Sequence, residues 1–541
     1  MTEQHTTPEE YGTKSSKLLL PVAIVLILIL ACYGFLVNQG LPQQWTEMSN
    51  QHAEWTPPTE HPPYFMVAPF VILLLCIAFL PLIPATAQWW EKNTNKFLVA
   101  GSLGTLTLLY YAFGCHFPVE RHLFDLKAID PTEDGGVAVA KTVFMNTIVA
   151  EFLPFIVLLF TLFTITGGIR IASSLKATPF VNSVILLIGT MLASFIGTTG
   201  AAVLMIRPLL DMNRGRKHKV HTVVFFIFCV CNCGGVLTPL GDPPLFLGYL
   251  RGVAFEWTFF ALSHMWIFVN LVLIALYFLW DALWYYRRES KEYKEKQNDS
   301  TQKLFTVSGW KLNVPLLLGV IAAIALLVPG REIPGTDWYA LYYLREAVLL
   351  GLAAISLLFG SALIRRENAF NFSPICEVAV LFFGIFLCMV PPAQILVVQG
   401  KNIVTHAATA TNLNKEKLFF WSTGSLSAVL DNAPTYVIFF EAGKALTPET
   451  DEESEQWRVD TGREFVPVPV KGGMIGHFLL VAVSLGSVFM GAMTYIGNGP
   501  NFLVKAMAEQ DGVPMPSFFG YMAYSCLILL PLLVVMTLVF L

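Results

Sequence analysis

Charge is scarce in this chain. Asp, Glu, Lys and Arg make up 13% of its 541 residues, against about a quarter in soluble globular domains. With 55% hydrophobic residues and a mean hydropathy of +0.61, the chain has too few polar groups to be a soluble enzyme. Other absences narrow the field further. There is no glycine-rich loop of the G-x-x-x-x-G-K-(S/T) type, which argues against ATP-driven transport by this chain. The nine cysteines lie mostly inside apolar blocks, so no disulfide framework is expected. Cys229, Cys231 and Cys233 invite a metal reading, but alternate residues on a helix do not share a face and no matching His cluster follows. No nucleophile–base constellation is found. The chain is therefore expected to be no enzyme and to use no cofactor, no nucleic acid, and no metal beyond a transported ion.

Long apolar blocks are plentiful instead. A bilayer core about 30 Å thick needs about 20 apolar residues per helix. The clearest blocks are 18–36, 65–84, 97–113, 152–165, 220–231, 259–280, 314–328, 347–364, 378–390, 478–490 and 521–541. Block 18–36 follows Lys14 and Lys17 as a signal peptide would, but no small-residue cleavage site follows it, and it reads as a retained first helix. The expectation is an all-α polytopic membrane protein whose partner is the lipid bilayer.

Loop Lys and Arg residues set orientation. With the N-terminus in the cytoplasm, segment 39–65 is outside and has no Lys or Arg, while Lys92 and Lys96, then Arg170 and Lys176, fall inside. The stretch 179–212 breaks the pattern. At about 1.5 Å per residue it would be roughly 50 Å long as one helix, and both its ends read as cytoplasmic. Its centre is Gly197-Thr198-Thr199-Gly200. A re-entrant hairpin turning at those residues fits better than one long tilted helix. Arg207 within it reads as snorkelling to the cytoplasm. The most basic loop, with Arg287, Arg288, Lys291, Lys294, Lys296 and Lys303, is also inside. A second hairpin, 418–443, turns near Asp431-Asn432-Ala433-Pro434 from the outside. The acid-rich insertion 444–472 (Glu449, Asp451, Glu452, Glu453, Glu455) follows it.

Two distant segments match without a gap. Gly235-Val236-Leu237-Thr238-Pro239-Leu240-Gly241-Asp242-Pro243-Pro244-Leu245-Phe246-Leu247 and Gly491-Ala492-Met493-Thr494-Tyr495-Ile496-Gly497-Asn498-Gly499-Pro500-Asn501-Phe502-Leu503 share six identities in thirteen positions. Each follows a hairpin, and each hairpin follows a helix read as opening on a carboxylate, Glu151 or Glu377. By the loop charges the two copies enter from opposite sides, which makes them inverted repeats. Gly and Pro at this density break a helix, and broken backbone at membrane depth survives only against protein or water. Paired interruptions in inverted repeats point to a transporter site at the midplane. The chain divides on this reading into N-terminal helices 1–145, a first repeat 146–286, a basic loop with linking helices 287–373, and a second repeat 374–541.

These residues also resemble a known group. Leu237-Thr238-Pro239-Leu240-Gly241-Asp242-Pro243-Pro244 is similar to the signature of NhaD-type sodium/proton antiporters, and Ser427-Ala428-Val429-Leu430-Asp431-Asn432-Ala433-Pro434 to their hairpin. Both belong to the ion transporter superfamily, with the citrate and dicarboxylate carriers. The resemblance covers roughly residues 60–541. It implies a scaffold of inverted repeats, commonly a homodimer, and an elevator motion in the cell (inner) membrane. NhaD-type proteins tend to carry Asp-Asn in the first hairpin too, whereas here the tip is Thr198-Thr199. The Ser-Asn-Thr tips of the sodium/dicarboxylate carriers are absent as well.

The candidate site residues follow. Asp431 and Asn432 stand first, because an Asp in an apolar hairpin is costly and functional by default. The bland alternative for Asp431 is a helix N-cap. Asp242 and Asn498 occupy matching positions. Thr238, Thr494, Thr198, Thr199 and Asn232 offer further oxygens. Asp431, Glu151 and Glu377 are the candidate proton carriers. The leading expectation is a secondary transporter exchanging Na⁺ (or Li⁺) for H⁺. The alternative is Na⁺- or H⁺-coupled transport of citrate or another carboxylate on the same fold.

Overall fold

A computed structural model describes residues 8–50, 60–81, 83–120, 128–173, 175, 177–289, 306–411, 413–448, 451–461, 464–471 and 473–541. Lys176, Lys291, Lys294, Lys296, Lys303 and Glu449, used above to orient the loops, lie outside them. The protein is an all-α polytopic membrane protein. Among the described residues six helices are long and apolar enough to cross a membrane, or up to eight if each of two bent pairs is one span. One antiparallel strand pair, Pro467–Val470 with Gly473–Gly476, lies at the end of the acid-rich insertion and was not read from the sequence.

The chain forms two compact units, each taking segments from both halves of the sequence. The first holds Met1–Arg170 and Val307–Pro391, the second Ile171–Thr306 and Pro392–Leu541. In the first unit the helices Asn93–Phe113 and Ser373–Cys388 approach closely, because a Cβ on Gly384 would lie 2.5 Å from the Ala100 carbonyl oxygen. Lys96, buried, pairs with Glu377 at 2.5 Å. Buried Arg365 donates to the Thr164 carbonyl at 2.6 Å and to the Ser356 carbonyl at 3.1 Å, tying two helix ends.

The helix containing Glu151 differs from the expectation. It runs unbroken over Gly136–Thr166 and opens at Gly136, not at Glu151. Glu151 sits in a π-helical turn, Met145–Phe152, in mid-helix. The apolar block 152–165 looked too short for a span because the turns before it carry Lys141 and Asn146. Glu377 does lie in the first turns of its helix.

The second unit holds both hairpins and both breaks. Thr178 caps the first hairpin by accepting a bond from the Val181 N–H at 3.2 Å, with Pro179 at the first helical position. The arms Pro179–Ile196 and Thr198–Met212 meet at Gly197, whose φ of +82° suits glycine. Asn182 and Asn213 exchange amide hydrogen bonds of 3.0 and 2.9 Å. A single straight helix would hold them roughly 45 Å apart, so the segment turns back on itself. Asn414 caps the second hairpin through the Lys417 N–H at 2.9 Å. Its arms are Lys415–Ser427 and Asn432–Lys444, and the rings of Phe419 and Phe439 meet edge to face across them, with centroids 6.0 Å apart.

Candidate ion and substrate site

Both breaks follow one local plan. The first lies between helices Val220–Cys229 and Pro243–Leu250, the second between His477–Met490 and Gly499–Gln510. A threonine hydroxyl in each reaches the last carbonyls of the neighbouring hairpin arm: Thr238 Oγ1 donates to the Ser194 carbonyl and Thr494 Oγ1 to the Ala428 carbonyl. The same oxygens accept from the backbone two residues on, Leu240 N and Ile496 N, each at 3.2 Å. The glycine at the end of each break then passes against the one at its start. A Cβ on Gly241 would lie 2.1 Å from the Gly235 carbonyl oxygen, and one on Gly497 2.6 Å from that of Gly491. These close approaches explain why Gly, Thr and Gly recur at the same spacing in both copies.

The next residue in each copy starts the outgoing half-helix in extended conformation, Asp242 in the first and Asn498 in the second. Asp242 is 1% exposed. Its Oδ1 accepts from Thr198 Oγ1 at 2.7 Å and from Asn498 Nδ2 at 3.2 Å, and its Oδ2 accepts from Asn432 Nδ2. Groups from both hairpin tips and from the opposite break thus converge on one carboxylate. No Lys, Arg or His forms an ion pair with it among the described residues. A buried carboxylate satisfied only by neutral donors is expensive and is held where its charge has a use.

An amide chain continues from it. Asn498 Nδ2 also donates to the Cys231 carbonyl at 3.0 Å and to Asn232 Oδ1 at 3.2 Å. Asn232 Nδ2 donates to Asn501 Oδ1 at 2.7 Å, and Asn501 Nδ2 to the Gly491 and Thr494 carbonyls at 2.9 Å each. Every one of these side chains is buried. One acceptor is left over: Asn432 Oδ1 is buried and makes no hydrogen bond. An unpartnered amide oxygen beside a carboxylate is a hard, electron-rich position suited to Na⁺.

Thr198, Asp242, Asn432, Asn498 and Asn232 therefore come together. Thr199 is half-buried and takes no part in this network. The hydroxyls of Thr238 and Thr494 are already engaged in shaping the breaks. Asp431 is half-buried, and its Oδ1 caps the second arm through the Ala433 N–H at 3.3 Å. Glu151 and Glu377 belong to the first unit, where Glu377 has Lys96 as its partner.

Sequence reasoning missed Asn501, Ser194 and Ser427. Asn501 stood in the matched segment opposite Leu245, and a polar residue aligned with a leucine was the available signal. Ser194 donates to the Gly234 carbonyl, and Ser427 to the Ser487 carbonyl at 2.6 Å. Their signal was a serine just ahead of each hairpin tip.

A family model described as "Putative citrate transport" matches residues 59–130 and 132–541. No curated protein matches the chain.

Proposed function

The chain belongs to this citrate-transport family, and we propose on that footing that it is a secondary transporter moving a citrate-like carboxylate together with Na⁺ or H⁺. The observation that carries this reading is the meeting of four half-helix N-termini at one buried acid. Thr198 and Asn432 begin the outgoing hairpin arms, and Asp242 and Asn498 precede the outgoing half-helices. Each N-terminus carries roughly half a positive charge. Carbonyls around the breaks, by contrast, are covered by the protein's own donors, among them Thr238, Thr494, Asn498 and Asn501. Two acids, Asp242 and the cap Asp431, offset the N-termini. Once Na⁺ or H⁺ neutralises Asp242, the region favours an anion, and this is a physical basis for coupling. Asn432 Oδ1 is the natural second oxygen for the cation.

The second unit, with both hairpins and both breaks, is the part that would carry substrate. The homodimer and elevator motion implied by the resemblance belong to the same proposal. So do the cell-membrane location, which goes with the same resemblance, and the cytoplasmic N-terminus, which rests on the loop charges. A second reading, Na⁺/H⁺ antiport, is favoured by the Asp431-Asn432 hairpin and its unpartnered oxygen.

Proteoliposomes separate the two. Labelled citrate should accumulate when an inward Na⁺ or H⁺ gradient is imposed, and should stay near background without one. A Na⁺-dependent change of internal pH with no citrate uptake, from pH 6 to 9, would replace carboxylate transport by antiport.

A further inference from the structure

Away from the polar site, the second unit carries an apolar groove of about 660 Å³, within the range of about 300–1,000 Å³ typical of ligand sites. Its walls are the helix Trp257–Trp280 with its continuation, and the last helix, Phe518–Phe540. Leu276, Leu279 and Leu283 line one side, Leu527, Pro531 and Val535 the other, and Phe225 is part of the lining. Most of these side chains are well exposed, Leu279 by 51% and Leu527 by 78%. Two π-helical turns face the groove, Asp281–Tyr285 on one wall and Ser525–Leu529 on the other. Such turns widen a helix locally and recur at functional sites.

One end of the groove is chemically marked. Trp280 and Trp284 line it, and Tyr285 and Tyr524 lie against Trp280, each with ring centroids 6.1 Å from it. Trp and Tyr at the end of a span are typical of the headgroup layer. Arg288 stacks over the Trp284 ring at 5.0 Å, and Arg287 beside it is also exposed. The sequence then continues with Lys291, Lys294 and Lys296, in the loop assigned to the cytoplasmic side. Anionic headgroups are held by basic clusters of this kind next to spans.

We propose that the groove is a binding site for one anionic phospholipid, its acyl chain between the two helices and its headgroup at Arg287 and Arg288. Charge complementarity at the aromatic end selects this occupant over a neutral lipid. The groove wall also reaches a break. Ser525 Oγ donates to the Met493 carbonyl at 2.6 Å, and Tyr521 donates to that of Ala492 at 2.8 Å. Occupancy at the Ser525–Leu529 turn thus bears on the backbone that precedes Asn498.

The test uses the full chain in detergent, titrated with phosphatidylglycerol or phosphatidylcholine and read by native mass spectrometry. Phosphatidylglycerol should be retained in preference, by about fivefold per arginine engaged. The double variant Arg287→Gln/Arg288→Gln should bring the ratio close to one. Leu279→Trp/Val535→Trp, at two exposed positions that fill the groove, should lower retention of both lipids. Glycerol 3-phosphate serves as the headgroup without a chain and should not compete. Equal retention of the two lipids by the unmodified protein, undiminished preference in Arg287→Gln/Arg288→Gln, or undiminished retention in Leu279→Trp/Val535→Trp would reduce the groove to ordinary lipid contact and overturn the proposal. Competition by glycerol 3-phosphate would also overturn it, by showing an anion site with no role for the groove. These readouts are independent of which solute is transported.

Discussion

At the first break the outgoing half-helix is preceded by Asp242, at φ −140° and ψ 144°, and at the second by Asn498, at φ −155° and ψ 138°. The backbone is nearly the same, the flanking Gly, Thr and Pro are the same, and the hydroxyl of each threonine does the same job. The end group differs, one carboxylate against one amide. The difference has an electrostatic consequence. Asn498 donates to Asp242 at 3.2 Å, and a second carboxylate there would set two like charges within hydrogen-bond distance. Repetition supplies the scaffold, and the departure from it puts a single charge where both repeats can address it.

The largest effect should come from removing that charge. Asp242→Asn keeps the volume but turns an amide N–H₂ toward Thr198, Asn432 or Asn498, all of which donate to Asp242 now. Hydrogen bonds to a charged group are worth about 1.5–3 kcal/mol, so losing even one predicts roughly 10- to 100-fold slower uptake in proteoliposomes, with the protein still folded. The double variant Asp242→Asn/Asn498→Asp moves the charge to the other repeat. Two of its three donors, Thr198 and Asn432, stay behind. Recovery should therefore be less than about tenfold. Full recovery would show that the site is symmetric and that the comparison of the breaks has been misread.

A smaller effect should separate the glycines. A Cβ at position 241 would meet backbone at 2.1 Å, and one at 497 at 2.6 Å. Both are overpacking against a backbone that cannot rotate away, typically about 1–3 kcal/mol. Gly241→Ala should lower the melting temperature in detergent more than Gly497→Ala does. A reversed order would mean that the second break is the more tightly built of the two.

Much of this was legible in the residues, for a physical reason. Broken helices need Gly and Pro in fixed places, and a thirteen-residue match exposed both breaks at once. The hairpins were legible because 179–212 is too long for one span and the glycines at its centre weaken a helix there. Partner assignment was much less legible. Asp431 looked the sharper acid because it stood in an Asp-Asn pair, and the N-cap named as its bland alternative is the contact its side chain makes. Asp242 gains its importance from Thr198, Asn432 and Asn498, which are 44, 190 and 256 residues away in the chain. Glu151 was read as a helix start because the uninterrupted apolar run follows it. The helix in fact begins at Gly136, and Lys141 and Asn146 only interrupt a stretch that is otherwise mostly apolar.

The smallest effect is predicted for Asp431, and it decides between the two functional readings. Its carboxylate accepts from one backbone N–H at 3.3 Å and is half-buried, whereas Asp242 is fully buried and accepts from three side chains. Asparagine is as good an N-cap as aspartate, so Asp431→Asn should leave the melting temperature almost unchanged, while Asp431→Ala should cost about 1 kcal/mol through loss of the cap. If a carboxylate is transported and Asp242 carries the coupling charge, Asp431→Asn should slow citrate uptake by no more than about fivefold, the equivalent of about 1 kcal/mol. If the protein is instead a Na⁺/H⁺ antiporter with Asp431 as its ion-carrying acid, the same substitution removes the exchanged charge and abolishes Na⁺-dependent proton movement outright. Measuring both fluxes on this one variant, beside Asp242→Asn, asks which acid the transported ion requires. Loss of all transport in Asp431→Asn with the melting temperature intact would move the functional centre from the break to the hairpin tip.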